Sequence, residues 1–182
     1  GAERILTELA RQWHHDGHEI TVIQTSPNRY GTEYALPKGI EQIQIHTTSS
    51  NKILRFLQEI KALIGILKQR PNATCLSFLS ASSFILAISS WFVKNRMVFS
   101  ERNNPRKVPI GKHQQILRNF AFRFADAIVF QTEDAKSYFS KSIQSRGHII
   151  PNPINGNLPE PYEGEREKII VTACRLHPQK NL

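Results

Sequence analysis

The fold class follows most directly from residues 96–131, RMVFSERNNPRKVPIGKHQQILRNFAFRFADAIVFQ. Two short runs rich in apolar residues, 96–100 and 126–131, predict buried strands. Between them, residues 114–125 carry apolar side chains at helical spacing and predict a helix. Because a strand, a helix and a strand follow one another, we expect the two strands to pair in parallel, with the helix packed across one face of their sheet.

The same alternation extends over most of the chain. Gly17 is a helix stop, and Ser49, Ser50 or Asn51 can cap a helix that begins at Lys52. The hydrophobic periodicity predicts further helices over residues 2–16, 52–70, 80–94 and 133–140 and strands over residues 19–24, 40–46, 73–79, 147–151 and 168–173. We therefore expect an α/β fold, with a parallel sheet and helices on both of its faces.

The chain is expected to cover one domain and the start of another. Residues 152–167 are rich in Pro, Asn, Gly and Glu and predict an interdomain linker. Residues 1–151 then form the first domain, and 168–182 open the second with its first strand. A doubly wound sheet starts on a strand, whereas this sequence starts on a helix, so the first strand is expected before Gly1.

The charge of the chain predicts anionic partners. The net charge is +9 and the pI is near 9.8. Residues 94–123 contain eight Lys or Arg and one acid, and such a stretch can face nucleic acid, an acidic lipid surface or a diphosphate-bearing substrate. Phe120 and Phe124 lie four residues apart, as in a core-facing stripe, so base stacking is the weaker interpretation. No nucleic-acid motif is present, and we expect no nucleic-acid partner. The cations of helix 52–70 lie opposite an apolar stripe and predict a solvated outer face or an interfacial one. The stripe, predicted to be buried, consists of Ile53, Phe56, Leu57, Ile60, Leu63, Ile64 and Leu67.

Neither a disulfide framework nor a metal site is expected. Cys75 and Cys174 are far apart and no CxxC occurs, which fits a reducing compartment. The histidines around residues 14–18 have no metal-ligand spacing, and no D-x-D occurs. Residues 75–93 are apolar, but their six serines favour a buried strand, turn and helix over a membrane span.

Three places carry candidate site residues. Glu101 and Arg102 follow a strand, where a carboxylate beside a guanidinium can bind hydroxyls and anions; a turn with solvated charges is equally compatible. The sequence GAER, residues 1–4, opens the first helix, which is an ordinary helix start or an anion-binding turn. Arg175 and Lys180 lie just past the strand 168–173 and could hold phosphate.

Four segments, taken in order, resemble glycosyltransferase family 4. GAER resembles the motif G-G-x-E-R, and HDGHEITVI (15–23) resembles R-G-H-E-V-T-V-I. SERNNPRK, ADAIVFQTEDAKSYF and IIPNPI are similar to S-E-R-N-D-P, A-D-A-V-V-x-Q-T and I-P-N-P-I, found in the branch that builds bacterial surface polysaccharides. ACRLHPQKNL (173–182) looks like G-R-L-x-x-x-K-N. The resemblance covers nearly all 182 residues.

The resemblance implies a GT-B fold of two Rossmann-like domains and a retaining, metal-independent transferase without a cofactor. Residues 1–151 would bind the acceptor, a growing glycan or a lipid-linked sugar at the cytoplasmic face of the plasma membrane. The second domain would bind a nucleotide-diphosphate sugar, with Arg175 and Lys180 on its diphosphate. Gly1, Glu3 and Arg4 match the glycine-rich turn that approaches substrate. Glu101 and Arg102 match the acceptor-side position, where many relatives carry histidine.

The sequence also departs from the family pattern. Cys174 replaces the usual glycine before Arg175, and residues 168–182, which open the second domain, do not include the family's E-x7-E donor signature. We therefore expect residues 1–182 by themselves to lack transferase activity. The alternatives are a catalytically silent chain that binds an anionic membrane or a partner, and a basic nucleic-acid-binding domain.

Overall fold

The described part of the chain is an α/β structure. The computed structural model describes residues 2–25, 35–78, 80–106, 110–153, 160–165 and 167–169. The helices are α1 (Ala2–His15), α2 (Lys52–Lys68), α3 (Ser80–Ser89), α4 (Lys112–Arg123), α5 (Glu133–Ser137) and α6 (Lys141–Gln144). The strands are β1 (Thr21–Gln24), β2 (Glu41–Gln44), β3 (Thr74–Ser77), β4 (Arg96–Ser100), β5 (Ala127–Phe130) and β6 (Gly147–Ile149). The prediction of parallel strands flanked by helices is confirmed.

The strands form two parallel ladders. One has the order β3-β4-β5-β6, and the other pairs β1 with β2. The predicted strand-helix-strand unit of residues 96–131 is confirmed, because β4 and β5 pair in parallel with α4 between them, in the register Val98 to Ala127 and Phe99 to Ile128. No ladder joins β1 to β3 within the described residues. Among the described residues, the two ladders are therefore separate.

The chain divides into two compact units, Gly1–Pro151 and Asn152–Leu182. In the second unit the described residues are 152–153, 160–165 and 167–169. Most of the strand predicted over residues 168–173 therefore lies outside them.

The core of the first unit lies under the four-stranded ladder. Met97, Phe99, Ile128 and Phe130 of β4 and β5 are almost completely buried. From α4 it is Phe122 that enters the core, and its ring centroid lies 6.2 Å from that of Phe99. Phe120 and Phe124, predicted to form a core-facing stripe, are both half-buried: Phe124 packs against the core, and the ring centroid of Phe120 lies 6.0 Å from that of Phe84.

Capping residues define two helix ends as predicted. Gly17 adopts a positive φ of 88°, its N–H donates to the carbonyl of His14, and the N–H of His18 donates to that of Trp13. This pair of bonds is a Schellman motif and ends α1. At the start of α2, Asn51 Oδ1 accepts hydrogen bonds from the N–H groups of Ile53 and Leu54 at 2.9 and 3.3 Å.

Two predicted helices are shorter than expected. The helix predicted to reach residue 94 ends at Ser89, because the hydroxyls of Ser89 and Ser90 donate back to the carbonyls of Ile85 and Ala87 where the chain turns. The helix predicted over residues 133–140 ends at Ser137. Ser140 has an extended backbone (φ −62°, ψ 155°), and α6, which the sequence pattern did not predict, begins after it.

Within residues 75–93 lie most of strand β3 and the whole of helix α3, as predicted. No helix within the described ranges is long and apolar enough to cross a membrane. Burial raises the pKa of the Cys75 thiol to about 11. Cys75 is therefore a packing residue, since the reactive form of cysteine is the thiolate.

Candidate functional site

The candidate site lies at the carboxyl end of β4. Ser100 ends this strand, which lies between β3 and β5, and Glu101 and Arg102 follow it. The N–H of Glu101 donates to the carbonyl of Val129 at 2.9 Å, which extends the ladder by one residue and fixes the backbone there. The carboxyl ends of parallel strands are where open α/β sheets bind ligands. The structure thus places Glu101 and Arg102 where the sequence predicted them.

Glu101 is a buried carboxylate with a donor on each oxygen. The residue is 8% exposed. Its Oε1 accepts a hydrogen bond from the N–H of Asn103 at 3.2 Å, and its Oε2 accepts one from Nη1 of Arg118 at 3.3 Å. Burial raises the pKa of Glu101, and the charge of Arg118 together with these hydrogen bonds partly offsets the rise. Glu101 therefore does not lie in a turn with solvated charges, one of the two interpretations of this stretch.

Arg118 completes this arrangement from α4. It is 2% exposed, although it is one of the eight cations of the basic stretch 94–123. Its guanidinium carbon lies 4.8 Å from the ring centroid of Phe139 and 5.6 Å from that of Tyr138. The burial of Arg118 could have been predicted from helical spacing. Arg118 precedes the buried Ala121 and Phe122 by three and four residues and therefore shares their face of α4.

A small cavity opens beside the Glu101 carboxylate. Its volume is about 50 Å³, against roughly 300 Å³ or more for typical ligand pockets. The guanidinium of Arg102 lies 5.3 Å from the ring centroid of Phe78, and Nη1 of Arg102 donates to Ser100 Oγ at 3.4 Å. The cavity is lined by Phe78, Ser83, Ser100, Glu101, Arg102, Asn103 and Phe122. It can hold a hydroxyl or hydroxymethyl group rather than a whole sugar ring.

Contacts with α5 hold the loop that follows β4. Asn104 Nδ2 donates to Asp134 Oδ2, and Arg106 Nε lies 3.4 Å from Asp134 Oδ1. Asn104 Oδ1 accepts the N–H of Arg106 at 3.0 Å. The guanidinium of Arg106 also lies 5.7 Å from the ring centroid of Tyr138. The loop that carries Glu101 and Arg102 is therefore positioned by α5 as well as by β4.

The other predicted site residues are not brought to this cavity by any described contact. Glu3 and Arg4 lie in the first turn of α1, where Glu3 is exposed and Arg4 Nη1 lies 2.8 Å from Glu8 Oε1. Gly1, Arg175 and Lys180 lie outside the described residues, so their predicted roles stay predictions.

A second, larger cavity lies near the C-terminal end of α1. It measures about 580 Å³, is shallow, and contains no carboxylate. Its lining consists of Arg11, His14, His15, Ala35, Leu36 and Pro37. Within the described ranges no three His, Cys, Asp or Glu side chains come together as metal ligands would. The cavity at β4 is therefore the better candidate for chemistry.

Comparison with known proteins identifies the family. The model of glycosyltransferase family 4 matches residues 1–157. The chain belongs to glycosyltransferase family 4. No curated protein matches this family 4 chain significantly in sequence.

Solved structures agree with the fold of this family 4 chain. The structure of Anabaena HepE in complex with UDP superposes with a TM-score of 0.62 at 15% sequence identity, over 85% of this chain and 41% of that one. The HepE complex with UDP and glucose gives a TM-score of 0.60 at 14% identity, with the same coverage. The family 4 chain thus spans about two fifths of the length of HepE. The similarity shows a shared Rossmann-like fold of the GT-B type.

Proposed function

We propose that the protein transfers a sugar from a nucleotide-diphosphate sugar to a hydroxyl of a growing glycan or a lipid-linked acceptor, with retention of anomeric configuration and without a metal ion. The observation that carries the proposal is a buried, hydrogen-bonded carboxylate at a strand's carboxyl end in a family 4 chain. UDP and glucose in HepE support a nucleotide-sugar donor. The pathway would be the synthesis of a surface polysaccharide or another glycan.

The acceptor would bind at the cavity beside Glu101. One acceptor hydroxyl enters the cavity and donates a hydrogen bond to the Glu101 carboxylate, which orients it for reaction. The guanidinium of Arg102, on the cavity wall, is a donor for a second hydroxyl or an anionic group. Residues 1–151 therefore act as the acceptor-binding domain, in which Gly1, Glu3 and Arg4 form the turn that approaches substrate.

The donor would be held by the domain that opens at residue 168. As the glycosidic bond to the donor breaks, negative charge develops on the leaving diphosphate. Without a metal ion, that charge needs other cations, and Arg175 and Lys180 supply two. No cofactor is needed, because the nucleotide sugar is itself a substrate.

The test is a transfer assay on the full-length protein. Sugar nucleotides are screened as donors, with membrane extract as acceptor and EDTA present. We expect product with one donor class, and we expect the Arg175→Ala/Lys180→Ala variant to lose about 10²- to 10³-fold in kcat because the leaving group loses both cations. Lys168→Ala removes a nearby exposed cation and should retain full activity. NMR of the product gives its anomeric configuration.

Two results would contradict the proposal. One is the absence of product with every sugar nucleotide; the other is full activity in the doubly substituted variant. Loss of activity in EDTA that Mg²⁺ or Mn²⁺ restores would refute the metal-free mechanism alone.

A basic apolar surface on α2, α3 and α4 supports a membrane location. Helix α3 packs against both α2 and α4. Ring contacts also connect the three helices, from Phe56 to Phe84, then Phe120 and Trp91. Large apolar side chains on α2 and α4 and just after the end of α3 are exposed, and Ile53 and Leu57 are among them although the apolar stripe of α2 predicted them to be buried. The exposed apolar residues are Ile53, Leu54, Leu57, Trp91, Phe92, Ile116 and Leu117. The exposed cations of the same segments are Lys52, Arg55, Lys61, Lys68, Lys94, Lys112 and Arg123.

This combination fits an anionic lipid surface. Apolar side chains enter the boundary between headgroups and acyl chains, while Lys and Arg pair with lipid phosphates. We therefore propose that the protein is peripheral at the cytoplasmic face of the plasma membrane, where a lipid-linked acceptor would be within reach. The same surface would also serve the alternative function, a catalytically silent chain that binds anionic membrane.

Charge reversal on α2 tests the membrane location. We expect Lys52→Glu/Arg55→Glu to bind vesicles of phosphatidylglycerol and phosphatidylcholine about 30-fold more weakly or worse, because each lysine or arginine near an anionic surface contributes about 1 kcal/mol. Sedimentation with vesicles measures this. Lys38→Glu/Lys141→Glu, the matched control, reverses two exposed cations outside α2 to α4 and should bind like wild type. Equal loss in both variants would show that net charge, rather than this surface, determines binding.

A further inference from the structure

We propose that Arg118 is the positioning residue for Glu101: it holds the carboxylate in one orientation beside the cavity, and its positive charge opposes protonation of that carboxylate. The inference rests on the proposed function only in assigning Glu101 to the acceptor. Its structural basis is the contact between Arg118 Nη1 and Glu101 Oε2 at 3.3 Å, between two side chains that are 3% and 8% exposed.

The surroundings of Arg118 do not suggest that its role is to stabilise the fold. Its Nε and Nη2 are buried and have no hydrogen-bond acceptor within the described residues. Buried donors are nearly always satisfied, and apolar residues of similar volume often replace a buried ion pair without loss of stability. An arginine with one hydrogen bond in such a place is therefore better explained by what it does to its partner.

The surroundings of Arg118 keep its guanidinium in place. Helix α4 fixes its backbone, and the rings of Tyr138 and Phe139 lie within cation–π distance. Arg118 thus binds one carboxylate oxygen of Glu101, while the N–H of Asn103 binds the other. Rotation of the carboxylate away from the cavity would therefore break at least one of these two hydrogen bonds.

The charge of Arg118 opposes the effect of burial on Glu101. Burial raises the pKa of Glu101, and the charge of Arg118 is the largest influence that lowers it. On the loop that follows β4, the backbone N–H of Arg102 also lowers the pKa of Glu101. The guanidinium of Arg102 lies near Phe78 and Ser100 instead. From α5, the Asp134 carboxylate pairs with Arg106. Without Arg118, Glu101 would gain a proton at a higher pH.

The test follows the titration of Glu101 directly. Full-length protein carrying ¹³C-labelled glutamate is titrated by NMR, and Glu101→Gln assigns the signal. We expect Arg118→Met to raise the pKa of Glu101 by about 1 to 3 pH units, the usual effect of a neighbouring opposite charge. Arg118→Lys restores the charge and should bring the titration back toward that of wild type. The acidic limb of the pH profile of transfer should move with the titration in both variants.

Arg118→Lys tests positioning separately from charge. Lysine has no planar fork to hold the carboxylate at a fixed angle. We therefore expect its KM for the acceptor to rise about 10- to 100-fold while its KM for the donor stays unchanged. This measurement also decides the inference if Arg118→Met does not fold.

The outcomes separate the inference from the proposed function. A Glu101 titration that is the same in Arg118→Met and wild type would overturn the inference, even in an active transferase. An unchanged acceptor KM in Arg118→Lys would also overturn it. A shifted titration in a protein that uses no sugar nucleotide would support the role of Arg118 and refute the proposed function.

Discussion

The Glu101→Gln variant is expected to transfer sugar about 100-fold more slowly than the wild-type protein, a loss typical of a misplaced reacting group. Glutamine keeps the size of the side chain and one oxygen for Arg118, but it lacks the negative charge that, in the proposed function, orients the acceptor hydroxyl. The measurement is kcat/KM for the acceptor. Thermal unfolding of both proteins shows that the variant is folded.

The burial of Glu101 also predicts how transfer activity changes with pH. Burial raises the pKa of Glu101, so as pH falls the carboxylate is protonated earlier than an exposed glutamate would be. Activity of the wild-type protein should therefore fall on the acidic side with a midpoint above the ordinary glutamate range, and Glu101→Gln should lack that limb. Glu19→Gln, at an exposed carboxylate, is the matched control and should behave like wild type. A Glu101→Gln variant with normal activity would remove Glu101 from the site.

Phe99→Ala is expected to lower the free energy of unfolding by about 3 to 5 kcal/mol. Phe99 is 0% exposed on β4 and contacts the ring of Phe122. Its truncation leaves a cavity between the sheet and α4, which surrounding side chains can fill only in part. Urea unfolding of the full-length protein, followed by tryptophan fluorescence and circular dichroism, measures the change.

The control for Phe99→Ala is an exposed phenylalanine. Phe92 is 57% exposed, so Phe92→Ala in lipid-free buffer should change stability by no more than about 0.5 kcal/mol. Similar losses in the two variants would show that β4 does not lie at the centre of the core.

The sequence predicted elements where local chemistry and packing agree. Residues 96–131 contain two apolar strands and a periodic helix, and a parallel pair with a crossover helix is the arrangement that buries all three. Gly17 and Asn51 define helix ends through their own backbone conformation and side-chain hydrogen bonds. These two helix ends could therefore be predicted without knowledge of the tertiary structure. The end of α3 could not, because the apolar run continues through Trp91 and Phe92 after the helix has stopped.

The candidate site was predictable only in part. The position of Glu101 and Arg102 at a strand's end follows from strand order, whereas the burial of Glu101 depends on which side chains of α4 face it. A count of basic residues places Arg118 on the surface; its spacing from Ala121 and Phe122 places it inside. The exposure of Ile53 and Leu57 also could not be predicted, because apolar periodicity does not show whether another element covers the stripe.

The small volume beside Glu101 has a consequence for selectivity. A cavity of about 50 Å³ excludes a sugar ring but admits one of its hydroxyl groups. A deoxy sugar that lacked this group would lose one hydrogen bond to the carboxylate, whose oxygens would keep Asn103 and Arg118 as donors. The loss of one hydrogen bond to a charged group corresponds to about 10- to 150-fold in affinity. The acceptor would then be distinguished by the placement of individual hydroxyl groups rather than by the outline of its ring.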